Sequence, residues 1–174
     1  MTLSPPRVLE LTDPLAGLSA HLVTVGTGPV FAGGIRTRSY PSAAARREDA
    51  KSLADAVAET VWRSAVAALG HPPQTVAVQG AGDIGRAVTL RALAEGSRCW
   101  VTDLDPARIA ALVAQGAEAR DPVDFYRHPA ELSAPCAAGG LLNAERAATL
   151  QARAVVGGAN HILADDAALH TLVE

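Results

Sequence analysis

The stretch TVAVQGAGDIGRAV, at residues 75–88, constrains the fold of this chain more than any other segment. It begins with a nearly continuous apolar run, which is typical of a parallel strand that is covered on both faces. Gly80, Gly82 and Gly85 follow at once with the spacing G-x-G-x-x-G, and residues of helical character come after them. A strand that turns tightly into a helix through three such glycines predicts a β-α unit of a parallel sheet.

The sequence after this turn continues to alternate between strands and helices. Short apolar segments bounded by turn residues alternate with segments of helical periodicity. This alternation predicts an α/β fold, a Rossmann-type doubly wound parallel sheet. The predicted strands cover 75–80, 98–103, 132–137 and 152–159, with a short element near 117–120, and the predicted helices cover 83–95, 106–115, 143–151 and 163–173.

The residues before the turn have a different pattern. Residues 18–25 alternate like a strand, and the Gly-rich segment 26–36 predicts strand, turn and strand. A long helix is expected over 40–69, with Ser42 as its N-cap, and GHPPQ then breaks the chain. We therefore expect a small, shortened N-terminal α/β part at 1–71, for substrate binding or dimerisation, and a dinucleotide-binding domain at 72–174.

Composition excludes several classes of function. A net charge of −3 and 3% aromatic residues argue against a nucleic-acid partner. No apolar run has the length of a membrane span, and the N-terminus lacks the pattern of a secretory signal, so we expect a cytoplasmic protein without a membrane partner. Cys99 and Cys136 are expected to be free thiols, and the histidines show no metal-binding spacing, so no metal is expected.

The glycine turn and one acidic residue predict NAD as the cofactor. Glycines at these positions permit the turn and a close approach of the backbone to a pyrophosphate, and the following helix presents free N–H groups to it. Asp103 stands 23 residues after Gly80, at the end of the next predicted strand, where a carboxylate accepts bonds from ribose hydroxyls and repels a 2′-phosphate. NAD is therefore favoured over NADP, although Arg108 could soften the preference. The alternative is that the glycines only serve a turn. The predicted cofactor site also includes Ile84, Leu104 and Asp83. Asp83 is expected to cap the helix and to point away from the phosphates.

Three segments resemble the Glu/Leu/Phe/Val family of amino-acid dehydrogenases. TVAVQGAGDIG…VTDLDPARI is similar to the cofactor-binding segment of the leucine, phenylalanine and valine enzymes. LSAPCAAGGLLNAERAATLQARAVVGGANHILADD, at 132–166, resembles the family's later segment APCALGGVLN…AGAANNQL. TGPVFAGGIRTRSYPSAAARREDAKSLADAV resembles a segment of the family's catalytic domain.

The resemblance implies roles for residues at the nicotinamide end of the cofactor site and along one wall of a substrate pocket. Two glycines match positions whose backbone approaches the substrate, a segment from 134 to 137 matches the one beside the nicotinamide, and an asparagine matches the first of the family's pair. These residues are Gly33 and Gly34 for the substrate, Ala134, Pro135 and Cys136 for the cofactor, and Asn160 for both.

The family's two lysines are missing from the matching positions. Thr60 stands where the family has the lysine that binds the substrate carboxylate, and the lysine that acts as general base has no counterpart. Lys51 is the chain's single lysine and lies two to three helical turns upstream of Thr60. A threonine can bind substrate through a hydrogen bond but carries no charge. The family's oxidative deamination is therefore not expected.

Hydride transfer would still need a proton donor, for which the sequence offers three candidates. Glu59 lies at the pocket-facing end of the long helix, where an apolar pocket would keep it protonated. His161 follows Asn160, and Tyr40 follows the glycine turn of the N-terminal part. Each has a structural alternative, an exposed helix carboxylate for Glu59 and a packed or solvent-facing side chain for the other two.

Two hypotheses of function follow. In the first, the protein is an NAD-dependent oxidoreductase that reduces a C=N bond, such as that of a cyclic imine in a specialised biosynthetic pathway, or a C=O bond of a small metabolite. In the second, it is a non-catalytic dinucleotide-binding sensor or partner subunit. A true amino-acid dehydrogenase is the third and weakest alternative. Because the N-terminal part has too small a core to stand alone, we expect a homodimer formed through it.

Overall fold

The computed structural model describes residues 42–173 of the 174-residue chain. The chain divides into two compact units, Met1–Arg46 and Arg47–Glu174. The predicted strands at 18–25 and 26–36 lie outside the described residues, as do Gly33, Gly34 and Tyr40. The domain boundary expected between residues 71 and 72 stays a prediction.

Five parallel strands form one sheet in the order β3-β2-β1-β4-β5. β1 is central, with β2 on one side and β4 on the other, so the strand order reverses at β1. This arrangement confirms the predicted Rossmann-type α/β fold. The strands are β1 (Thr75–Gln79), β2 (Arg98–Thr102), β3 (Glu118–Ala119), β4 (Ala130–Pro135) and β5 (Ala152–Val155).

In the described residues five α-helices connect and cover the strands, close to the predicted positions. A 3-10 helix at Phe125–Arg127 was not predicted, because its segment shows no apolar periodicity. No helix between residues 42 and 173 has both the length and the apolar character needed to cross a membrane. The helices are α1 (Ala43–Leu69), α2 (Asp83–Ala94), α3 (Pro106–Val113), α4 (Ala144–Thr149) and α5 (Asp166–Val173).

The two faces of the sheet are covered by different helices. On one face the Cys99 thiol donates to the carbonyl of Thr89 in α2, with an Sγ to oxygen distance of 3.9 Å. On the other face Ala77 and Trp100 belong to a core with Leu142, at the start of the segment that leads into α4. Neighbouring residues of a strand point to opposite faces, so nearly every strand residue near the sheet centre is buried.

The loop after β5 passes close to two helices. A Cβ placed on Gly158 would lie 2.4 Å from Cγ2 of Ile84 in α2 and 3.0 Å from Cγ1 of Val57 in α1. A Cβ on Gly157 would lie 2.1 Å from the carbonyl oxygen of Pro135 at the end of β4. The loop can lie this close to the carboxyl end of the sheet because both positions are glycine and carry no side chain.

Helices α1 and α2 are also joined by charged and aromatic side chains. Arg91 of α2 donates to the Glu59 carboxylate of α1. The Arg91 guanidinium lies over the ring of Trp62, 5.8 Å from its centroid. The other terminal nitrogen of Arg91, Nη2, pairs with Oε1 of Glu95 at 3.0 Å. These contacts hold the part of α1 around Glu59 and Trp62 against α2.

We predict that Gly158→Ala destabilises the fold by about 1–3 kcal/mol, because the added methyl forces Ile84 and Val57 to move. Urea unfolding followed by circular dichroism would measure this change. In an Ile84→Ala background the same substitution should cost less, because the closest obstructing atom has been removed. An equal cost in both backgrounds would show that this contact does not limit the packing.

Candidate functional site

A cleft of about 770 Å³ opens at the carboxyl ends of β1, β2 and β4. It lies where the strand order reverses, the position at which open α/β sheets bind their ligands. Its walls combine backbone, apolar and charged groups. The lining residues are Gln79, Gly80, Gly82, Thr102, Asp103, Leu104, Asp105, Arg108, Pro122, Tyr126, Cys136, Ala137, Ala138, Leu141 and Arg146.

The three motif glycines have distinct surroundings. Gly80 has a φ of +96°, and a Cβ on it would lie 2.7 Å from the backbone nitrogen of Ala137. A Cβ on Gly85 would lie 1.7 Å from the carbonyl oxygen of Gly80. A Cβ on Gly82 would instead have the Arg108 guanidinium, 3.8 Å away, as its nearest neighbour. Gly80 and Gly85 thus serve the packing, while Gly82 leaves room in the cleft for a ligand.

The start of α2 is open toward the cleft. Gly82 is the N-cap residue, and no side chain caps the helix. Asp83 is the first helical residue and is exposed, so the prediction that it caps the helix is wrong. Without a capping side chain, the first-turn amides and the positive end of the helix can serve an anionic group.

Asp103 is joined to both neighbouring loops by backbone hydrogen bonds. Its Oδ2 accepts from the Ala81 amide at 2.6 Å, and its Oδ1 accepts from the Asp105 amide at 2.8 Å. Burial alone would raise the pKa of the Asp103 carboxyl, but these amides and the charge of Arg108 outweigh burial, so its pKa is lowered. The group is therefore a carboxylate at neutral pH, directed at the glycine turn.

Several other predicted cofactor residues lie in or beside the cleft. Leu104 lines it and is 94% exposed, and Arg108 lines it while pairing with Asp105, with 3.4 Å between Nε and Oδ2. Cys136 also lines it, and burial raises the pKa of its thiol to about 11, so the thiol stays protonated. Ala134 is fully buried in β4 and does not line the cleft.

Asn160 and His161 belong to two interlocked loops. A Cβ on Gly139, after β4, would lie 2.1 Å from the Asn160 carbonyl oxygen. The Gly140 amide donates to the His161 carbonyl at 2.5 Å. His161 has a φ of +53°, a left-handed conformation that costs a non-glycine residue free energy. Both residues are exposed, and their roles at the nicotinamide stay predictions.

Glu59 and Thr60 are engaged elsewhere. Glu59 pairs with Arg91, and its side chain is 46% exposed. Thr60 donates its hydroxyl to the Ala56 carbonyl at 3.0 Å, within α1. Neither residue lines the cleft in the described part of the chain, nor do Asn160 and His161. Their roles in catalysis and substrate binding stay predictions.

Five polar residues of the cleft were missed by the sequence reasoning, namely Gln79, Thr102, Asp105, Tyr126 and Arg146. Tyr126 donates its hydroxyl to Oε1 of Gln79 at 2.7 Å. The Arg146 guanidinium lies over the Tyr126 ring, 5.8 Å from its centroid. Gln79 directly precedes Gly80, so its position at a strand end was a usable signal. Tyr126 and Arg146 lie in segments without a motif and come together only through the fold.

These residues meet the requirements of a dinucleotide. Open space at Gly82 admits a pyrophosphate, uncapped amides of α2 can bind its oxygens, and the Asp103 carboxylate can accept from ribose hydroxyls. Fold and site together define the class of the protein, a Rossmann-type domain whose cleft suits a dinucleotide.

Comparisons with known proteins show which family the chain resembles. No protein-family model matches the chain. Phenylalanine dehydrogenase from Caldalkalibacillus thermarum is 35% identical over 117 residues, which cover 64% of this chain and 30% of the enzyme. Leucine dehydrogenase from Geobacillus stearothermophilus is 35% identical over 91 residues, 52% of this chain and 25% of the enzyme. The resemblance to the Glu/Leu/Phe/Val dehydrogenases is thereby confirmed over this part of the chain.

A solved structure agrees with the sequence matches. The crystal structure of L-tryptophan dehydrogenase from Nostoc punctiforme superposes with a TM-score of 0.58 and 28% identity, over 67% of this chain and 36% of that one. The chain thus spans between a quarter and somewhat over a third of the length of these relatives.

We predict that Gly82→Ala mainly weakens dinucleotide binding, whereas Gly85→Ala mainly destabilises the fold. At Gly82 the methyl has space, so stability should fall by no more than about 1 kcal/mol, whereas dinucleotide affinity should fall at least about tenfold because the methyl occupies the phosphate position. At Gly85 the overlap with Gly80 should cost about 3 kcal/mol or more. Thermal unfolding with and without NADH would separate the two effects. Unchanged affinity in a folded Gly82→Ala variant would rule out a phosphate at this turn.

Proposed function

We propose that the protein is an NAD-dependent oxidoreductase that transfers hydride to a C=N or C=O bond of a small metabolite. The observation that carries the proposal is the ionised Asp103 carboxylate, joined to the glycine turn through the Ala81 amide in an open cleft. The similarity to amino-acid dehydrogenases supports the same class of chemistry.

The residues of the cleft would divide the work of holding the cofactor. The α2 amides beside Gly82 would bind the pyrophosphate, and Asp103 would accept from the adenosine ribose hydroxyls. A 2′-phosphate would bring negative charge against the Asp103 carboxylate, which favours NAD over NADP. When bound, the nicotinamide supplies the hydride, and the protein orients it.

Asp103→Asn should therefore change the cofactor preference. We expect NADH affinity to fall about tenfold or more, because bonds to a charged acceptor are lost, and NADPH affinity to fall less or to rise. Titration calorimetry with both cofactors would measure this. Asp124→Asn is a matched control, because Asp124 is exposed and pairs only loosely with Arg127 at 3.9 Å. A larger loss for NADPH than for NADH would contradict the ribose assignment.

The missing lysines support the proposed substrate class. Lys51, the single lysine, pairs with Asp55 at 2.6 Å on the exposed side of α1, and Thr60 turns its hydroxyl back to its own helix. Neither residue offers a charged clamp for an α-amino acid carboxylate. An iminium is already activated and needs less acid catalysis than a ketone, so reduction of a C=N bond, including that of a cyclic imine, is the favoured reaction.

Substrate screening would test this reaction. We expect NADH consumption with cyclic imines, weaker consumption with ketones, and little with α-keto acids plus ammonia. The Gly82→Ala variant serves as the control for activity that depends on the cofactor site. Turnover only with α-keto acids plus ammonia would be reductive amination, the reverse of the family's oxidative deamination. It would mean that the protein catalyses the family's reaction without the family's lysines.

A non-catalytic sensor or partner subunit is the second candidate. It is favoured by the Glu59–Arg91 ion pair, which engages one predicted proton donor outside the cleft. Cofactor binding without turnover of any C=N or C=O substrate would support it.

The homodimer stays a prediction, since its proposed interface lies largely outside the described residues. A monomer in light scattering at micromolar concentration would exclude it.

A further inference from the structure

We propose that Arg146 is a flat platform for the adenine base of the dinucleotide and thus a specificity-determining residue of the cleft. The proposal rests on the proposed cofactor and goes further by assigning the residue that recognises its purine half. Arg146 lies in α4, which follows β4, and its side chain forms part of the cleft lining.

The guanidinium of Arg146 is positioned from two sides. It lies over the Tyr126 ring, 5.8 Å from the centroid, and its Nη1 donates to the Leu141 carbonyl at 2.5 Å. Tyr126 is itself rigid, because it is 4% exposed and its hydroxyl donates to Gln79. A guanidinium supported in this way loses little conformational freedom when a ligand stacks on it.

The charge of Arg146 is not neutralised by a neighbouring carboxylate. In the described part of the chain no acidic side chain lies within ion-pair distance of it, whereas Arg108 in the same cleft pairs with Asp105. A guanidinium that lies over an aromatic ring and has no carboxylate partner in the described residues keeps surface for a second π system. Nucleic-acid bases stack on arginine planes in the same manner.

The rest of this part of the cleft favours a base over an anion. Small and apolar residues form a large share of the cleft lining, and they would solvate a phosphate or carboxylate poorly. Phosphate contacts would come instead from the uncapped start of α2. The small and apolar lining residues are Leu104, Pro122, Ala137, Ala138 and Leu141.

Binding of cofactor fragments tests the proposal. Titration calorimetry would compare NADH, ADP-ribose and reduced nicotinamide mononucleotide with the wild-type protein and with Arg146→Ala. We expect the affinity for NADH and ADP-ribose to fall by the same factor, about threefold to thirtyfold, and the affinity for the mononucleotide to stay unchanged. Arg153→Ala is the matched control, because this exposed arginine pairs with Glu131 at 3.0 Å outside the cleft.

Arg146→Lys distinguishes a plane from a charge, because lysine keeps the charge and lacks the flat surface. We expect it to bind as weakly as Arg146→Ala. Recovery of affinity by lysine, with a strong dependence on salt, would instead show an anion subsite and overturn the proposal. So would equal affinities of the wild type and Arg146→Ala. If the wild type binds neither NADH nor ADP-ribose, the proposed function itself fails.

Discussion

The close contact between Gly85 and the carbonyl oxygen of Gly80 is the constraint on which the rest of the site depends. It lets α2 start directly above the end of β1, the central strand. With any side chain at residue 85, helix and strand would have to separate, and the turn would lose its shape. The same turn carries the open space at Gly82 and the uncapped amides of α2.

The carboxylate of Asp103 connects this turn to the neighbouring strand. Its bond to the Ala81 amide links β2 to the loop after β1, so the group that would select the cofactor also orders the loop that would hold its phosphates. Because amide hydrogen bonds outweigh burial and lower its pKa, the site keeps its negative charge without a cofactor. The contribution of these bonds to stability is present above the ordinary pKa of aspartate and is lost as the pH falls through the lowered value.

The parts of the fold that could be predicted are those encoded by patterns among residues close together in the sequence. The glycine turn, the strands that alternate with helices, and Asp103 at its spacing from Gly80 all follow from neighbouring residues in the chain. The cleft residues Tyr126 and Arg146 lie 20 positions apart and meet only because the 3-10 helix and α4 pack on the same face of the sheet. The left-handed backbone of His161 and the hydrogen bond from the Gly140 amide to its carbonyl are likewise not indicated by any periodicity in the sequence. Glu59 was predicted at a pocket from its position in the helix, which neighbouring residues in the sequence indicate. Its actual partner, Arg91, lies 32 residues further along the chain, and no local pattern indicates that pairing.

The chemistry of the cleft limits where a proton donor can come from. Burial raises the pKa of Tyr126, with only partial compensation from its bond to Gln79 and from Arg146, and burial raises the pKa of Cys136 to about 11. Both groups hold their protons too tightly for efficient general acid catalysis near neutral pH. Asp103 is already ionised and is occupied by backbone amides. The described cleft is therefore suited to binding a dinucleotide, and a reductase built on it needs an acid from outside these walls. An imine substrate that arrives as an iminium relaxes this requirement, because it carries the proton that a ketone would have to receive.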